Sequence, residues 1–176
     1  MPHSVLVVPV PDLEHVVRPR LARRSPDDLA VDDETRHAHV TLLGPFAGQD
    51  ELTDGMLGEL ADLFADVTPF EFTLTTICVF SGGNVYLSPE PAAPFRHLTH
   101  ELSRHFPEYP PYGGEFDEVV PHLTVPLAEG ENMDTLRFQL GARLPVTTYA
   151  REAALVWYEP KATRTLATFA FGTSAA

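Results

Sequence analysis

The stretch HVTLLGPF (residues 39–46) reads as a short strand ending on a glycine–proline pair, and much further along the chain PHLTV (121–125) repeats its histidine-x-threonine pattern. Side chains on an extended strand alternate between its two faces. His39 and Thr41 therefore project to one side, with Val40 and Leu42 on the other. In the second copy His122 and Thr124 project together, against Leu123 and Val125. Each copy sets an imidazole beside a hydroxyl on a strand whose reverse face is apolar. A lone His-x-Thr is an ordinary polar strand edge. Two copies, each followed by an apolar residue and then Pro or Gly-Pro, point to one shared site, because rigid strands hold reacting groups better than loops do.

Paired imidazoles suit proton transfer near neutrality, since a free ring titrates at about pH 6.5. One ring acts as base while the other, charged, acts as acid. Two flanking hydroxyls donate hydrogen bonds to the non-bridging oxygens of a phosphate, so charge can be stabilised without a metal. The expected chemistry is in-line displacement at a phosphodiester, with no cofactor.

Working outward, SVLVVPV (4–10) is a buried strand, and Asp12 is placed to cap a helix from Leu13 that Pro19 would shorten or kink. Residues 25–36 are acidic and form a loop before a strand at 37–43. Leu52, Met56, Leu57, Leu60, Leu63 and Phe64 recur at helical spacing after Gln49. PFEFTLTTICVFSGGNVYLSP is a hairpin about a Gly-Gly turn. Phe95, Leu98, Leu102 and Phe106 mark one face of a further helix. The loop PEYPPYGGEF leads to a strand at 122–126, then a helix at 133–141 and strands at 145–149, 152–158 and 165–171. The reading is an α+β domain spanning 1–176, built of two similar lobes.

A chain of 176 residues buries roughly 70% of its unfolded surface without disulfides. The one cysteine, Cys78, lies in an apolar run and is expected buried. The formal net charge of −13 disfavours a long nucleic acid, whose grip demands many Lys and Arg. VVRPRLARR (16–24) is the one basic run, read as a solvated helix face or loop. The opening residues show no basic leader and no membrane span, so a soluble, cytoplasmic protein is expected, as a monomer.

The motifs HVTLLGPF and PHLTV resemble the two signatures of the 2H phosphoesterase superfamily, in its 2′-5′ RNA ligase-like branch. The resemblance covers nearly the whole chain, including the Pro-rich YPPYGGEFDEVVPHLTV stretch before the second motif. It implies His39 and His122 as the catalytic pair and Thr41 and Thr124 as phosphate ligands. It also implies a bilobal fold, with two pseudo-symmetric antiparallel-type sheets lining a central groove and helices outside. The implied substrate is a 2′,3′-cyclic phosphate or 2′-5′ phosphodiester, and the acidic charge favours a small nucleotide or an RNA end.

Two other readings stay open: a module that holds a nucleotide or RNA end without turning it over, and a metal-dependent hydrolase centred on His37 and His39. Otherwise His37 belongs at the groove edge, behind the reacting groups, or exposed at the strand entrance. Of Phe46, Tyr86, Tyr112, Trp157 and Tyr158, the first and third, Phe46 and Tyr112, are preferred for stacking a base because each adjoins a motif. His97, His100 and His105 are expected on the exposed side of their helix.

Overall fold

The structure, a computed structural model, describes residues 1–174. Its strands are β1 (His3–Pro9), β2 (His39–Leu43), β3 (Phe70–Val79), β4 (Val85–Glu90), β5 (Leu123–Thr124), β6 (Val146–Ala150), β7 (Glu152–Tyr158) and β8 (Arg164–Ala170). The helices are α1 (Glu14–Arg24), α2 (Asp54–Ala65), α3 (Ala93–His105) and α4 (Met133–Gly141).

The strands form one eight-stranded sheet in the order β6-β3-β4-β5-β2-β1-β7-β8. All neighbours pair antiparallel. From the centre outward, β5-β4-β3-β6 mirrors β2-β1-β7-β8. The two sheets that the resemblance implied are two halves of a single sheet, joined where β2 meets β5 at the Val40–Leu123 pair.

One face of the sheet carries the core. Leu6, Val8, Val40, Leu42, Leu74, Leu87, Leu123, Val125 and Leu155 pack there with Leu60 and Phe64 of α2, Phe95, Leu98 and Leu102 of α3, and Leu136 and Leu140 of α4. α3 lies on β2 and α2 on β8. The Thr99 hydroxyl donates to Leu42 O (2.8 Å), which locks α3 onto the first motif strand. Helix starts follow sequence chemistry at α2 and α4, where Thr53 and Asn132 side chains accept from the N–H groups of Met56 (3.2 Å) and Thr135 (2.8 Å).

α1 departs from expectation. Asp12 does not cap it but accepts a hydrogen bond from Thr148, and the helix runs past Pro19 to Arg24. The other departure is Cys78, which is half-buried. β3 is irregular between Leu74 and Thr76, so burial on the strand does not follow simple alternation. Gly44 ends β2 for a steric reason: a Cβ there would stand 2.9 Å from Val5 Cγ1. The opposite sheet face holds a small second cluster of Val5, Val7, Ala154 and Val156, with Tyr158 against it.

Candidate active site

The β2–β5 seam decides what the two motifs can do together. With Val40 opposite Leu123 in an antiparallel pair, the register sets His39 across from Thr124 and Thr41 across from His122. Val40 and Leu123 are fully buried in the core, so the four polar side chains share the other face of adjacent strands. Directly opposed Cβ atoms in such a pair lie about 5 Å apart and diagonal neighbours about 7–8 Å. The two imidazoles occupy one diagonal of this square and the two hydroxyls the other.

Both rings are held the same way. His39 Nδ1 lies 3.4 Å from Arg36 O, and His122 Nδ1 lies 2.7 Å from Val120 O. A carbonyl only accepts, so Nδ1 carries the hydrogen in each neutral ring and Nε2 is left for chemistry.

Their surroundings differ. Burial pushes the His39 pKa down to about 4, with His37 and His122 adding to the effect, while Arg36 O and Glu14 oppose it. The Glu14 carboxylate accepts from the N–H groups of His37 (3.1 Å) and Ala38 (2.8 Å), fixing the backbone that leads into His39. Tyr158 lies tilted near the His39 ring at 6.4 Å and stacks on His3 at 6.0 Å. His122 instead meets an aromatic wall: Phe80 edge-on at 5.0 Å and Tyr86 at 5.7 Å, the two stacked on each other at 4.0 Å. Tyr86 stands opposite Thr124 on β4.

The sequence profile of the 2′-5′ RNA ligase superfamily matches residues 9–162, a span that holds the whole square. The chain belongs to this superfamily. No curated protein matches the sequence. Among solved structures, TT0787 of Thermus thermophilus is similar over 99% of this chain and 100% of its own, with a TM-score of 0.61 and 18% identity. E. coli LigT complexed with NADP+ matches over 96% of both chains (TM-score 0.56, 18% identity). The same protein complexed with 3′-AMP matches over 97% of this chain and 99% of its own (TM-score 0.54, 18% identity). At these identities the likeness establishes the fold.

Against this superfamily fold, several readings from sequence change. His37 is not at the groove edge: it is 6% exposed, its Nε2 accepts from Ala30 N–H at 3.1 Å, and burial lowers its pKa. β2 begins only at His39, so His37 does not share a strand face with it. A two-imidazole metal centre on this pair loses the ring nitrogen it needs. Among the described residues no group of three or more His, Cys, Asp or Glu is placed to hold a metal ion.

Phe46 is 4% exposed and packs against Phe106 (5.3 Å) and Tyr109 (4.8 Å). Past Gly44 and Pro45 the chain leaves the sheet and drops this ring into the core, so it cannot stack a base. Tyr112 adopts a left-handed backbone (φ 52°), donates its N–H to Gly44 O (2.7 Å) and meets Phe116 edge-on at 5.7 Å. Its described contacts do not include the four motif side chains. The aromatic rings that adjoin the motif histidines are Phe80 and Tyr86 at His122 and Tyr158 at His39. Phe80 carried no signal in sequence beyond its place at the hairpin turn, whereas Tyr86 and Tyr158 stood among the aromatic candidates without being preferred.

The basic run at 16–24 is largely engaged within the protein. Arg20, with a side chain 12% exposed, reaches Glu131 at 3.0 and 3.2 Å and Gln139 at 2.8 Å. Arg23 donates to Glu129 O (3.1 Å). Arg18 lies 3.7 Å from Glu14. Arg20 and Arg23 tie α1 to the segment after β5, Arg18 pairs within the helix, and of these arginines only Arg23 and Arg24 remain exposed as a solvated face would be. His97, His100 and His105 are exposed on α3, as expected.

Proposed function

We propose that the chain is a metal-independent phosphoesterase that opens a 2′,3′-cyclic phosphate, or cleaves a 2′-5′ phosphodiester, of a nucleotide or oligonucleotide end. The observation that carries this reading is the square of two imidazoles and two hydroxyls at the β2–β5 seam. E. coli LigT has been crystallised with 3′-AMP and with NADP+, which supports a nucleotide as the ligand.

In this mechanism neutral His39 takes a proton from water through Nε2 as the water oxygen attacks phosphorus. The bond from phosphorus to the leaving ribose oxygen breaks, and His122 gives that oxygen its proton. The Thr41 and Thr124 hydroxyls donate to non-bridging oxygens, whose negative charge grows in the transition state. A low pKa on His39 keeps it unprotonated and ready, although a weak base contributes less driving force for proton transfer. A phosphate seated between the rings stabilises an imidazolium, so His39 becomes more basic in the complex than in the free protein.

The test is turnover of a panel of nucleoside 2′,3′-cyclic phosphates and 2′-5′ dinucleotides with EDTA present. Hydrolysis to nucleoside monophosphates is the expected result. Strict dependence on added metal would defeat the mechanism. Tight binding of 3′-AMP with no turnover across the panel would assign the groove a holding role instead.

A further inference from the structure

A cavity of about 330 Å³ opens beside the motif square, and Thr124 is common to both. It lies between the C-terminal turn of α1, the β3–β4 turn and the chain leaving β5, with Arg24, Ser25, Asp28, Gly83 and Asn84 among its lining residues. Thr124 also faces His39 across the seam, so it stands at the border between the cavity and the motif square.

Arg24 sets this place apart. Three of the four arginines of α1 are already engaged by Glu14, Glu131 and Glu129 O. Among the described residues, no hydrogen bond or ion pair engages the Arg24 guanidinium. Asp28 lines the same cavity but is not within ion-pair distance of it. In a chain of net charge −13, an unengaged arginine in the same cavity as a candidate phosphate ligand is placed to select for anions locally. A guanidinium fork matches phosphate oxygens two at a time, and the Asn84 amide and Ser25 hydroxyl add donors of the right kind.

We infer that this cavity is a second phosphate subsite, in which Arg24 receives the 5′-phosphate of the nucleotide whose 2′,3′-phosphate lies on the square. The inference rests on the functional reading above and adds a substrate class: phosphorylated or oligonucleotide ends over bare nucleosides. The end of α1 presents backbone carbonyls and Asp28 adds negative charge, both of which oppose an anion. The selectivity is accordingly modest, of the order of one charge-assisted hydrogen bond, about tenfold.

The experiment is calorimetry on the full chain with adenosine 3′,5′-bisphosphate and with 3′-AMP. The wild-type protein binds the bisphosphate about tenfold more tightly, the gap narrows as salt rises, R24A brings the two ligands to one affinity, and R24K restores part of the preference. Equal affinities in the wild type, or a preference that persists in R24A, overturn the subsite. Because the ligands are product-like, the measurement stands whether or not cyclic phosphates are turned over. Loss of turnover would count against the functional reading, and equal affinities against the subsite alone.

Discussion

The two His-x-Thr strands are alike in sequence and in how they hold their rings, yet they present two different histidines. Each ring hangs from a backbone carbonyl upstream of it, Arg36 O for His39 and Val120 O for His122. His39 is desolvated, close to buried His37, and drops to a pKa of about 4. His122 stands against the Phe80–Tyr86 wall. A pseudo-symmetric pair of motifs thus yields an asymmetric pair of groups, which acid–base chemistry requires. Identity of motif does not give identity of role; the neighbours set it.

The sharpest way to break this comparison is to remove each ring in turn. His39→Ala and His122→Ala each lose about 10² to 10⁴ in turnover, the usual worth of a general acid or base, with circular dichroism and melting little changed. Thr41→Val and Thr124→Val lose less. A histidine variant that retains full activity would end the paired-imidazole reading.

The aromatic residues accompanying the two motifs separate next. Phe46→Ala, which empties a core site, costs about 3–5 kcal/mol of stability, read by chemical denaturation. Phe80→Ala, beside His122, leaves folding nearly intact and weakens 3′-AMP binding. The opposite assignment of effects would restore Phe46 to the groove.

The pH profile tests the asymmetry itself. With His39 as the base, as proposed, kcat/KM holds down to about pH 4 in the free protein and declines below it. A base of ordinary basicity would instead cost about thirtyfold at pH 5. The limb for kcat lies higher, because bound phosphate raises the ring's basicity. Linkage follows the same sign. His37 and His39 are less basic folded than unfolded, so the unfolded chain takes up more protons. Stability falls as pH drops from about 6.5 towards about 4, and His37→Gln flattens part of that fall.

The smallest effect concerns the carboxylate braces of the two halves. Glu14 pins the backbone ahead of His39, and Glu131 pins the segment after β5 through Arg20 and Ala128 N–H. Glu14→Gln lowers turnover roughly tenfold or less, in keeping with one charged hydrogen bond. It also moves the acid limb further down, because Glu14 supports the charged form of His39. Glu131→Gln leaves that limb in place. A common shift in both variants would show that the braces act only through overall stability.

Much of this protein was legible along the chain. The apolar spacing of Leu60 and Phe64 placed α2, the Gly-Gly turn placed the β3–β4 hairpin, and the order of strands and helices gave the α+β class. The i, i+2 rule put each histidine on the face of its own threonine, because strand alternation is a local property of extended backbone. The superfamily was readable from the same short stretches.

The tertiary structure alone set β2 beside β5, with Val40 against Leu123, since pairing joins segments that no local rule connects. Burial was likewise settled by distant partners. Ala30 and Glu14 took His37 inside, and Phe106 and Tyr109 claimed Phe46. Glu131 drew Arg20 of the basic run inward, while the hairpin brought Phe80 and Tyr86 to His122. Side-chain direction follows from neighbours in sequence, whereas solvation and charge follow from neighbours in space, and those decide what a histidine can do.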